Sequence, residues 1–487
     1  MLNLKWFLFS FVLILCFLLS CKSGKKSEAK PKPDVLFIAI DDMNDWTTLF
    51  NENNPIKTPN LKRLAERGCF FTKAYCTTPS CNPSRTAILS GLRPTTTGVY
   101  GNRQAWRDMI PEAVMLPQYF KKEGFTTKGA GKIFHHGSAG RDPENNPSFD
   151  EFQKLKQIGP DDGKNINGYA KDKTQYMGRG SYDWGILDVN KQTDEYTLDY
   201  VLNVLESAPK TEPLFLAAGI FRPHLPFYAP SSTFAHYPFS ETVMPPMPDN
   251  DLSDVPPIGK EMAHTQSFVW ENVSQPPVDR PGSLKSMIQS YQAASTYADE
   301  IIGRILDKLD ATGRSKNTII VLWSDHGYHL GDKESTMKFT LWEKANHVPF
   351  IIVAPGTVKP NTTCDIPVSL VDIYPTLVDL AGLPQKDGLD GKSLMPLLKN
   401  SKTEWERPAL TTLGRGNHSV RSKRWRYIKY SDGTEELYDH ENDPWEWHNL
   451  ASDEKYNTII AEHKKWLPTF EAPFNETGAK AYIFGNY

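Results

Sequence analysis

The sequence has no surplus of positive charge that would attract a polyanion. Its 55 lysine and arginine residues face 58 aspartate and glutamate residues, for a formal net charge of −3. We therefore expect no nucleic-acid partner, and an anionic ligand would need a local cluster of cations. Internal repeats are also not visible. The 487 residues, 39% hydrophobic and 23% charged, suit a soluble globule with one large domain and a smaller one.

The apolar run at the N-terminus is too short for a comfortable membrane span. Lys5 precedes WFLFSFVLILCFLLS, which has the length of a signal-peptide core. The run leads into LLSC, ending at Cys21, which resembles the lipobox of bacterial lipoproteins; plain secretion or an uncleaved anchor are the alternatives. We predict a signal peptide over 1–20, a lipid on Cys21 that contacts the membrane, and a flexible tether over 21–33. The protein would be exported and anchored in the bacterial periplasm or at the cell surface.

Cysteine is sparse, with six residues in the chain. If Cys21 carries a lipid, four remain in an oxidising compartment: Cys69, Cys76, Cys81 and Cys364. They could form two disulfides, or one could be chemically special. The spacing does not decide between these alternatives.

From residue 34 onward, strand and helix patterns alternate. The runs VLFIAI, LFLAAGI, TIIVLWS and PFIIVA are continuously apolar, which is typical of strands buried on both faces. Helical patterns lie between them, notably NLKRLAERG, TLDYVLNVLESA and the long segment that begins LKSMIQSYQAAS. The alternation predicts an α/β catalytic domain over 34–395, with a mostly parallel central sheet flanked by helices.

Two segments depart from this alternation. Residues 225–283 are rich in proline and predict an irregular insertion over the surface, and loops of that length tend to be functional. Nearer the C-terminus, RWRYIKYSDGTEELYD alternates as in an antiparallel hairpin with a turn at Asp432-Gly433. We therefore predict a smaller C-terminal subdomain with a short antiparallel sheet over 396–487.

Metal-binding side chains directly follow two of the predicted strands. Asp41 and Asp42 come after VLFIAI, and Asp325 and His326 come after TIIVLWS. Ligands collect at the carboxyl ends of parallel strands, and adjacent carboxylates there are costly unless a cation neutralises them. A helix cap or solvated turn would explain the first pair alone, but two such strand ends predict one shared divalent site. Three carboxylates favour Ca²⁺ or Mg²⁺ over zinc, and His326 is the least expected ligand.

A cysteine stands at the start of a predicted helix in TTPSCNPSRTAILSG. Pro83 is preorganised for the first turn of a helix. Cys81 would therefore lie near the positive end of that helix, where an anion is stabilised. A buried thiol before an ordinary helix is the alternative.

Four motifs occur in the order found in the type I sulfatases, a branch of the alkaline-phosphatase-like superfamily: DVLFIAIDD, CNPSR, GKIFHHG and SDHGYHLGD. The chain resembles this family from about Asp34 to ELYDHENDPWEWHNLA. GKIFHHG, RPHLPF and LRPTTTGVY are most similar to the iduronate-2-sulfatase-like subgroup. The resemblance implies an alkaline-phosphatase-like fold and hydrolysis of sulfate esters on carbohydrate.

The resemblance also implies that Cys81 is a precursor. In this family a separate maturation enzyme oxidises the cysteine of C-x-P-S-R to formylglycine (3-oxoalanine), an aldehyde. One hydroxyl of its hydrate can attack sulfur, and the second allows collapse to the aldehyde with release of sulfate, which splits one difficult step into two. By the same match Asp325 would accept the attacking hydroxyl's proton. The implied ion is Ca²⁺, bound by Asp41, Asp42, residue 81, Asp325 and His326.

Further side chains match catalytic positions of the family. Arg85, Lys132 and Lys338 match a cationic cage, which would stabilise negative charge on the sulfate oxygens. His135 matches the base that releases sulfate. His224 matches the acid that protonates the departing sugar oxygen, because an alkoxide is a poor leaving group.

Other residues near these motifs allow two interpretations. Trp106 and Arg107 could form a sugar subsite or pack in the interior. His329 could contact substrate. Glu343 and His347 are expected to brace a loop.

The expected substrates are sulfated saccharides, such as glycosaminoglycan or algal fragments, and the subgroup favours a 2-O-sulfated uronic acid. One alternative is a phosphate or phosphonate ester hydrolase of the same superfamily, which would need more positive charge or a second metal. A second alternative is a saccharide-binding lipoprotein without activity. The complete set of catalytic matches disfavours that second alternative.

Overall fold

The computed structural model describes residues 32–135, 147–161, 164–168, 182–265, 267–277 and 279–473. The predicted signal peptide, Cys21 and nearly all of the tether lie outside these residues. Within the described part, no helix combines the length and the apolar character needed to cross a bilayer.

The strands of the described residues, in chain order, are β1 (Asp34–Asp41), β2 (Cys69–Phe71), β3 (Ala74–Tyr75), β4 (Thr126–Gly131), β5 (Glu151–Lys154), β6 (Trp184–Ile186), β7 (Leu214–Pro223), β8 (Phe227–Ala229), β9 (Thr318–Ser324), β10 (Phe350–Val353), β11 (Thr362–Cys364), β12 (Val368–Ser369), β13 (Ala409–Thr412), β14 (His418–Arg421), β15 (Trp425–Lys429) and β16 (Glu435–Asp439). The α-helices are α1 (Pro59–Ala65), α2 (Cys81–Ser90), α3 (Pro94–Thr97), α4 (Trp106–Met109), α5 (Leu116–Lys122), α6 (Thr193–Ser207), α7 (Ser231–Phe234), α8 (Pro257–Ala263), α9 (Ser267–Val273), α10 (Leu284–Ala311), α11 (Glu343–Asn346), α12 (Ile373–Leu380), α13 (Met395–Lys399) and α14 (Asn457–Lys464).

The central sheet is mostly parallel, as predicted. Its strand order is β11-β2-β10-β9-β1-β7-β4-β5. β1 lies between β9 and β7 and is parallel to both, and β4 is parallel to β7 and β5. β10 is antiparallel to its neighbours β9 and β2. The predicted α/β fold is therefore confirmed.

Both faces of the central sheet are covered, which explains its continuously apolar strands. On β1, Phe37 packs in one hydrophobic core and Ile38 packs in the core on the opposite face. The long helix α10 contributes Ile301 and Ile305 to the second core. A strand with a polar side chain on alternate residues would bury those groups without partners.

A small antiparallel sheet of β13, β14, β15 and β16 forms the predicted C-terminal sheet. The Asp432-Gly433 turn joins β15 to β16. The sheet reaches toward the start of α2, since the amide of Thr412 donates to the carbonyl of Thr77 (2.8 Å). The domain boundary at residue 396 stays a prediction.

The proline-rich insertion is more regular than its composition predicts. Residues 225–283 contain β8, α7, α8 and α9. Pro257 is the first residue of α8, where the missing N–H removes no helical hydrogen bond. The prediction of an irregular loop was wrong for these parts because proline marks helix starts as well as loops.

Helix α1 is capped from a distant part of the chain. Its N-cap residue Thr58 makes no side-chain capping bond. Asp299, which is buried on α10, accepts hydrogen bonds from the amides of Asn60 (3.0 Å) and Leu61 (2.7 Å). Burial raises the pKa of Asp299 to about 6, against the opposing effect of these bonds.

Replacing Asp299 by Asn is expected to lower the free energy of unfolding by about 1–3 kcal/mol, because an amide cannot accept both backbone bonds as the carboxylate does. Urea unfolding followed by circular dichroism measures the change. Because the folded pKa lies above the ordinary value of 3.8, stability from this group falls as pH rises from 4 to 6. The variant should lack that slope.

The control for this measurement is Asp307→Asn on the exposed face of α10. Asp307 forms a surface ion pair with Arg63 (2.6 Å), which contributes about 1 kcal/mol or less. Equal destabilisation by the two variants would contradict the capping role of Asp299.

Candidate active site

Four neighbouring strands of the central sheet end at one place and supply the core of the site. β9, β1, β7 and β4 are adjacent in that order. Directly after or at their carboxyl ends stand Asp325, Asp41, His224 and Lys132 respectively. The sequence analysis identified the ends of β1 and β9 as one site. The strand order shows that the ends of β7 and β4 belong to the same site. Carboxyl ends of parallel strands meet at one edge, so residues almost 300 positions apart become neighbours.

Cys81 is the first residue of α2, as the sequence predicts. The side-chain oxygen of Asn102 accepts hydrogen bonds from the amide of Asn82 and the hydroxyl of Ser80, both at 2.9 Å. This loop residue therefore secures the first turn of α2 in place of a local capping side chain. Sequence reasoning missed Asn102, since it lies about twenty residues from the atoms it binds.

The Cys81 sulfur lies among cations. Its Sγ is 3.2 Å from Nε2 of His326, 3.5 Å from Nζ of Lys338 and 3.9 Å from Nζ of Lys132. Burial alone would raise the thiol's pKa, but Lys132 and Lys338 hold the pKa of Cys81 well below its usual range. A negatively charged group at this position is thus stabilised.

The other three described cysteines differ from Cys81. Cys69, Cys76, Cys81 and Cys364 are all buried, and none of these four forms a disulfide. Burial raises the pKa of Cys76 and Cys364, and it raises that of Cys69 to about 12. Of the two alternatives left open by the sequence, the structure favours one chemically distinct cysteine over two bridges.

Asp41 and Asp325 are joined by the guanidinium of Arg85. Arg85 Nε lies 2.8 Å from Asp325 Oδ2, and its Nη2 lies 3.2 Å from Asp41 Oδ1. Lys132 forms a further ion pair with Asp41. All four side chains are at most 3% exposed. Burial raises the pKa of Asp41, but these cations and His224 outweigh it and leave the pKa below the ordinary value.

Lys132 reaches Asp41 because β4 and β7 approach closely. The Lys132 amide donates to the carbonyl of Gly219 (3.0 Å). A Cβ atom at position 219 would lie only 2.3 Å from the carbonyl carbon of Lys132. A glycine is therefore required at position 219, because any side chain there would collide with the backbone of Lys132.

Asp42 holds the other ammonium group. Both of its carboxylate oxygens lie 2.8 Å from Nζ of Lys338. His326 Nδ1 lies 3.4 Å from Asp42 Oδ1, and His224 Nε2 lies 4.0 Å from Asp42 Oδ2. Asp42 has a left-handed backbone (φ 66°), and its carbonyl accepts a bond from the hydroxyl of Tyr291 (2.7 Å). Asp42 thus connects the predicted metal ligands to the predicted acid.

The predicted metal ligands fit a hard cation. Ligand atoms within 4.8 Å of one another form two overlapping groups, one of Asp41, Cys81, Asp325 and His326 and one of Asp41, Asp42, Cys81 and His224. The three carboxylates are fully buried, and carboxylate oxygens are the donors that Ca²⁺ and Mg²⁺ prefer. The carboxylates are bridged here by Arg85, Lys132 and Lys338, so a bound cation would share them with these groups.

The two candidate proton-transfer histidines have different neighbours in this cluster. His135 is paired with the Cys81 thiol; burial lowers the pKa of His135, and the bond to Cys81 opposes that shift. His224 is 21% exposed, whereas the neighbouring aspartates are at most 1% exposed. The position of His224 at the less buried edge suits contact with a leaving group.

Trp106 and His329 lie in the interior, whereas Arg107 is partly exposed and stacks on Trp106 with its guanidinium 4.2 Å from the ring centroid. Trp106 is 1% exposed and stacks on Phe134 with ring centroids 5.5 Å apart, so it packs in the core and does not form a sugar subsite. His329 is fully buried, with Nδ1 2.5 Å from Asp332 and Nε2 2.6 Å from Thr340. It braces the loop that carries Lys338 and does not face substrate.

Glu343 and His347 brace neighbouring segments, as expected. Glu343 Oε2 lies 3.2 Å from Nε of Arg421 on β14, and His347 Nδ1 lies 3.0 Å from Asp45. The C-terminal sheet is thereby tied to the segment that follows Lys338.

A family model described as Sulfatase matches residues 33–383, well over half of the chain. The chain belongs to the sulfatase family. A second model, described as the C-terminal part of N-sulphoglucosamine sulphohydrolase, matches residues 331–472 of this sulfatase. The four ordered motifs therefore led to the correct family.

Known sulfatases are similar over most of the chain. A protein named Sulfatase from Formosa agariphila is 38% identical over 490 residues, covering 96% of this chain and 94% of its own. Human iduronate 2-sulfatase is 28% identical over 410 residues, covering 74% and 71%. A solved structure of a 2-O GAG sulfatase has a TM-score of 0.68 at 22% identity, covering 89% and 90%. This sulfatase is a sulfuric ester hydrolase with the alkaline-phosphatase-like fold.

Proposed function

We propose that this sulfatase hydrolyses sulfate esters of saccharides, using formylglycine made from Cys81 and one bound divalent cation, Ca²⁺. The observation that carries the proposal is the place of Cys81. Its sulfur lies at the start of α2, within 4 Å of Lys132, Lys338 and His326. A buried thiol kept only for packing would need no such ring of cations.

The charged groups around residue 81 suit a sulfate ester. Lys132 and Lys338 would neutralise charge that grows on the sulfate oxygens as the sulfur–oxygen bond breaks. Arg85 keeps Asp41 and Asp325 in place through its two ion pairs. A cation held by Asp41, Asp42, Asp325 and His326 would supply further positive charge for those oxygens. Hydrated formylglycine would supply a nucleophilic hydroxyl and a second hydroxyl that permits release of sulfate.

Three side chains would move protons. A carboxylate oxygen of Asp325 lies within 4.8 Å of the sulfur of Cys81, and Asp325 is proposed to accept the proton of the attacking hydroxyl. His135, beside residue 81, would accept the proton of the remaining hydroxyl. His224 would donate a proton to the departing sugar oxygen at the less buried edge of the site.

The proposed substrate is a sulfated saccharide that contains a uronic acid, with the sulfate on its 2-O position. The support is the name of the human relative, iduronate 2-sulfatase, and that of the solved 2-O GAG sulfatase. A lipid on Cys21 would hold the enzyme at the membrane, outside the cytoplasm, where such saccharides are met. Maturation would require a formylglycine-generating enzyme. Sulfate release from a panel of defined sulfated oligosaccharides, with an aryl phosphate for comparison, tests the substrate class.

Mass spectrometry of one tryptic peptide tests the modification. Trypsin should release Ala74–Arg85, which contains both Cys76 and Cys81. We expect alkylation of Cys76 only, and loss of the sulfur of residue 81 with gain of an aldehyde that reacts with hydrazides. Cys76 is an internal control for accidental oxidation, since it is equally buried. Two alkylated thiols in fully active enzyme would refute the proposal.

A further inference from the structure

His224 is carried by a short segment whose backbone is held by a buried carboxylate. Asp194, in the first turn of α6, is fully buried. Its two carboxylate oxygens accept hydrogen bonds from the amides of Phe221 (2.6 Å) and Arg222 (3.0 Å). Phe221 and Arg222 stand at the end of β7, three and two positions before His224, respectively. The direction in which the chain leaves the sheet is therefore set by Asp194.

Arg222 holds the other side of the same segment. It is 1% exposed, its Nε donates to the carbonyl of Tyr228 (2.8 Å), and its Nη1 donates to the carbonyl of His224 (3.3 Å). Asp194 and Arg222 also offset each other's charge: burial raises the pKa of Asp194 to about 6, and Arg222 opposes that shift. An unpaired carboxylate at this depth would be far costlier.

The ring of His224 depends on that backbone for its orientation. Its Nδ1 donates to the carbonyl oxygen of Leu225 (2.5 Å), which leaves Nε2 directed at Asp42, 4.0 Å away. The ring of Phe221 packs beside it, with centroids 4.9 Å apart. A shift of the 221–225 backbone would therefore move Nε2 relative to the metal-ligand cluster.

We infer that Asp194 and Arg222 form a buried positioning pair, which holds His224 with Nε2 aimed at the departing oxygen of the substrate. The inference rests on the proposed role of His224 as proton donor. Neither residue of the pair contacts the reacting atoms, so both act through His224. A displacement of about 1 Å in a proton donor is enough to cost about a hundredfold in rate.

The test compares two sulfate esters that differ in their need for an acid. A nitrophenolate leaves without a proton, whereas a sugar alkoxide does not. We expect Asp194→Asn to lower kcat/KM for a sulfated oligosaccharide by about ten- to a hundredfold. The kcat/KM for 4-nitrophenyl sulfate should change by less than about threefold. A merely structural role would lower both values together.

Asp299→Asn is the matched control. Asp299 is likewise buried, accepts two backbone amides and has a pKa near 6, but it lies on α10 against α1. This variant should lower stability without separating the two substrates. Arg222→Gln is a second variant, for use if Asp194→Asn folds poorly. It should also lower kcat/KM for the saccharide much more than kcat/KM for the aryl sulfate.

His224→Ala distinguishes failure of the inference from failure of the proposed function. It should lower the saccharide rate by about 10²–10⁴-fold and spare the aryl sulfate. If His224→Ala shows this separation but the Asp194 and Arg222 variants affect both substrates equally or neither, the positioning pair is refuted. If His224→Ala itself affects both substrates equally, the role of His224 as acid is refuted, and the inference is refuted with it.

Discussion

Replacing Cys81 by serine is expected to stop this sulfatase after a single sulfate transfer per chain. A serine hydroxyl among Lys132, Lys338 and His326 can still attack sulfur, but it lacks the second hydroxyl that lets a formylglycine hydrate collapse and expel sulfate. The steady-state rate should fall at least about 10⁴-fold, the scale of loss when a covalent nucleophile is disabled. Intact-mass measurement after incubation with substrate should show the mass of one added SO3 group per chain, bound as a sulfate ester of the serine.

Two further variants serve as controls for this prediction. Cys81→Ala removes the attacking group, so it should show neither turnover nor added mass while keeping the circular dichroism spectrum of the wild type. Cys76→Ser changes an equally buried thiol five residues earlier, whose sulfur lies 3.5 Å from Asn346 Oδ1. It should keep activity within a few-fold. Repeated turnover by Cys81→Ser, or an active alanine variant, would exclude the formylglycine mechanism.

Removing the proposed divalent cation is expected to lower the activity of this sulfatase strongly. Three fully buried carboxylates meet at the ends of β1 and β9, and a sulfate ester must approach them. Without the cation, the sulfate oxygens would lose one source of positive charge beyond Lys132 and Lys338, and several kcal/mol of transition-state stabilisation would be lost. Dialysis against a chelator should lower kcat by about 10³-fold or more. Added Ca²⁺ should restore the rate. Titration with Mg²⁺ under the same conditions measures whether the site prefers Ca²⁺ to Mg²⁺.

Binding can also be measured without activity. Calcium at a hundred times its Kd should raise the free energy of unfolding by about 2.7 kcal/mol, visible as a higher Tm. Asp41→Asn should abolish this increment. The matched control is Glu446→Gln, in a second buried cluster of Glu343, His440 and Glu446. Arg426 and Arg421 already balance the charge of that cluster. Calcium should therefore raise the free energy of unfolding of Glu446→Gln by as much as that of the wild type. A calcium-independent Tm in the wild type would contradict the metal site.

Features that depend on residues close together in the chain could be predicted. The continuous apolar runs predicted β1, β7, β9 and β10, four adjacent strands of the central sheet, because both faces of the sheet are covered there. The alternation around Asp432-Gly433 gave the antiparallel hairpin. Strand-end positions placed Asp41, Asp42, Asp325 and His326 together, since parallel strands end at one edge. The motif order gave the family.

Other features are decided by contacts between distant segments, and local patterns do not contain them. Asp194, Asn102 and Asp299 bind backbone amides that could belong to any residue type, so no side-chain pattern marks their partners. Trp106 and His329 are residue types that often bind ligands, but both are buried by packing in the folded protein. The family, the class of fold and the metal-binding residue types at the strand ends could all be predicted from the amino-acid pattern. The tertiary structure decided which of these side chains face the site and what holds them there, because long-range hydrogen bonds and burial arise only when the chain is folded.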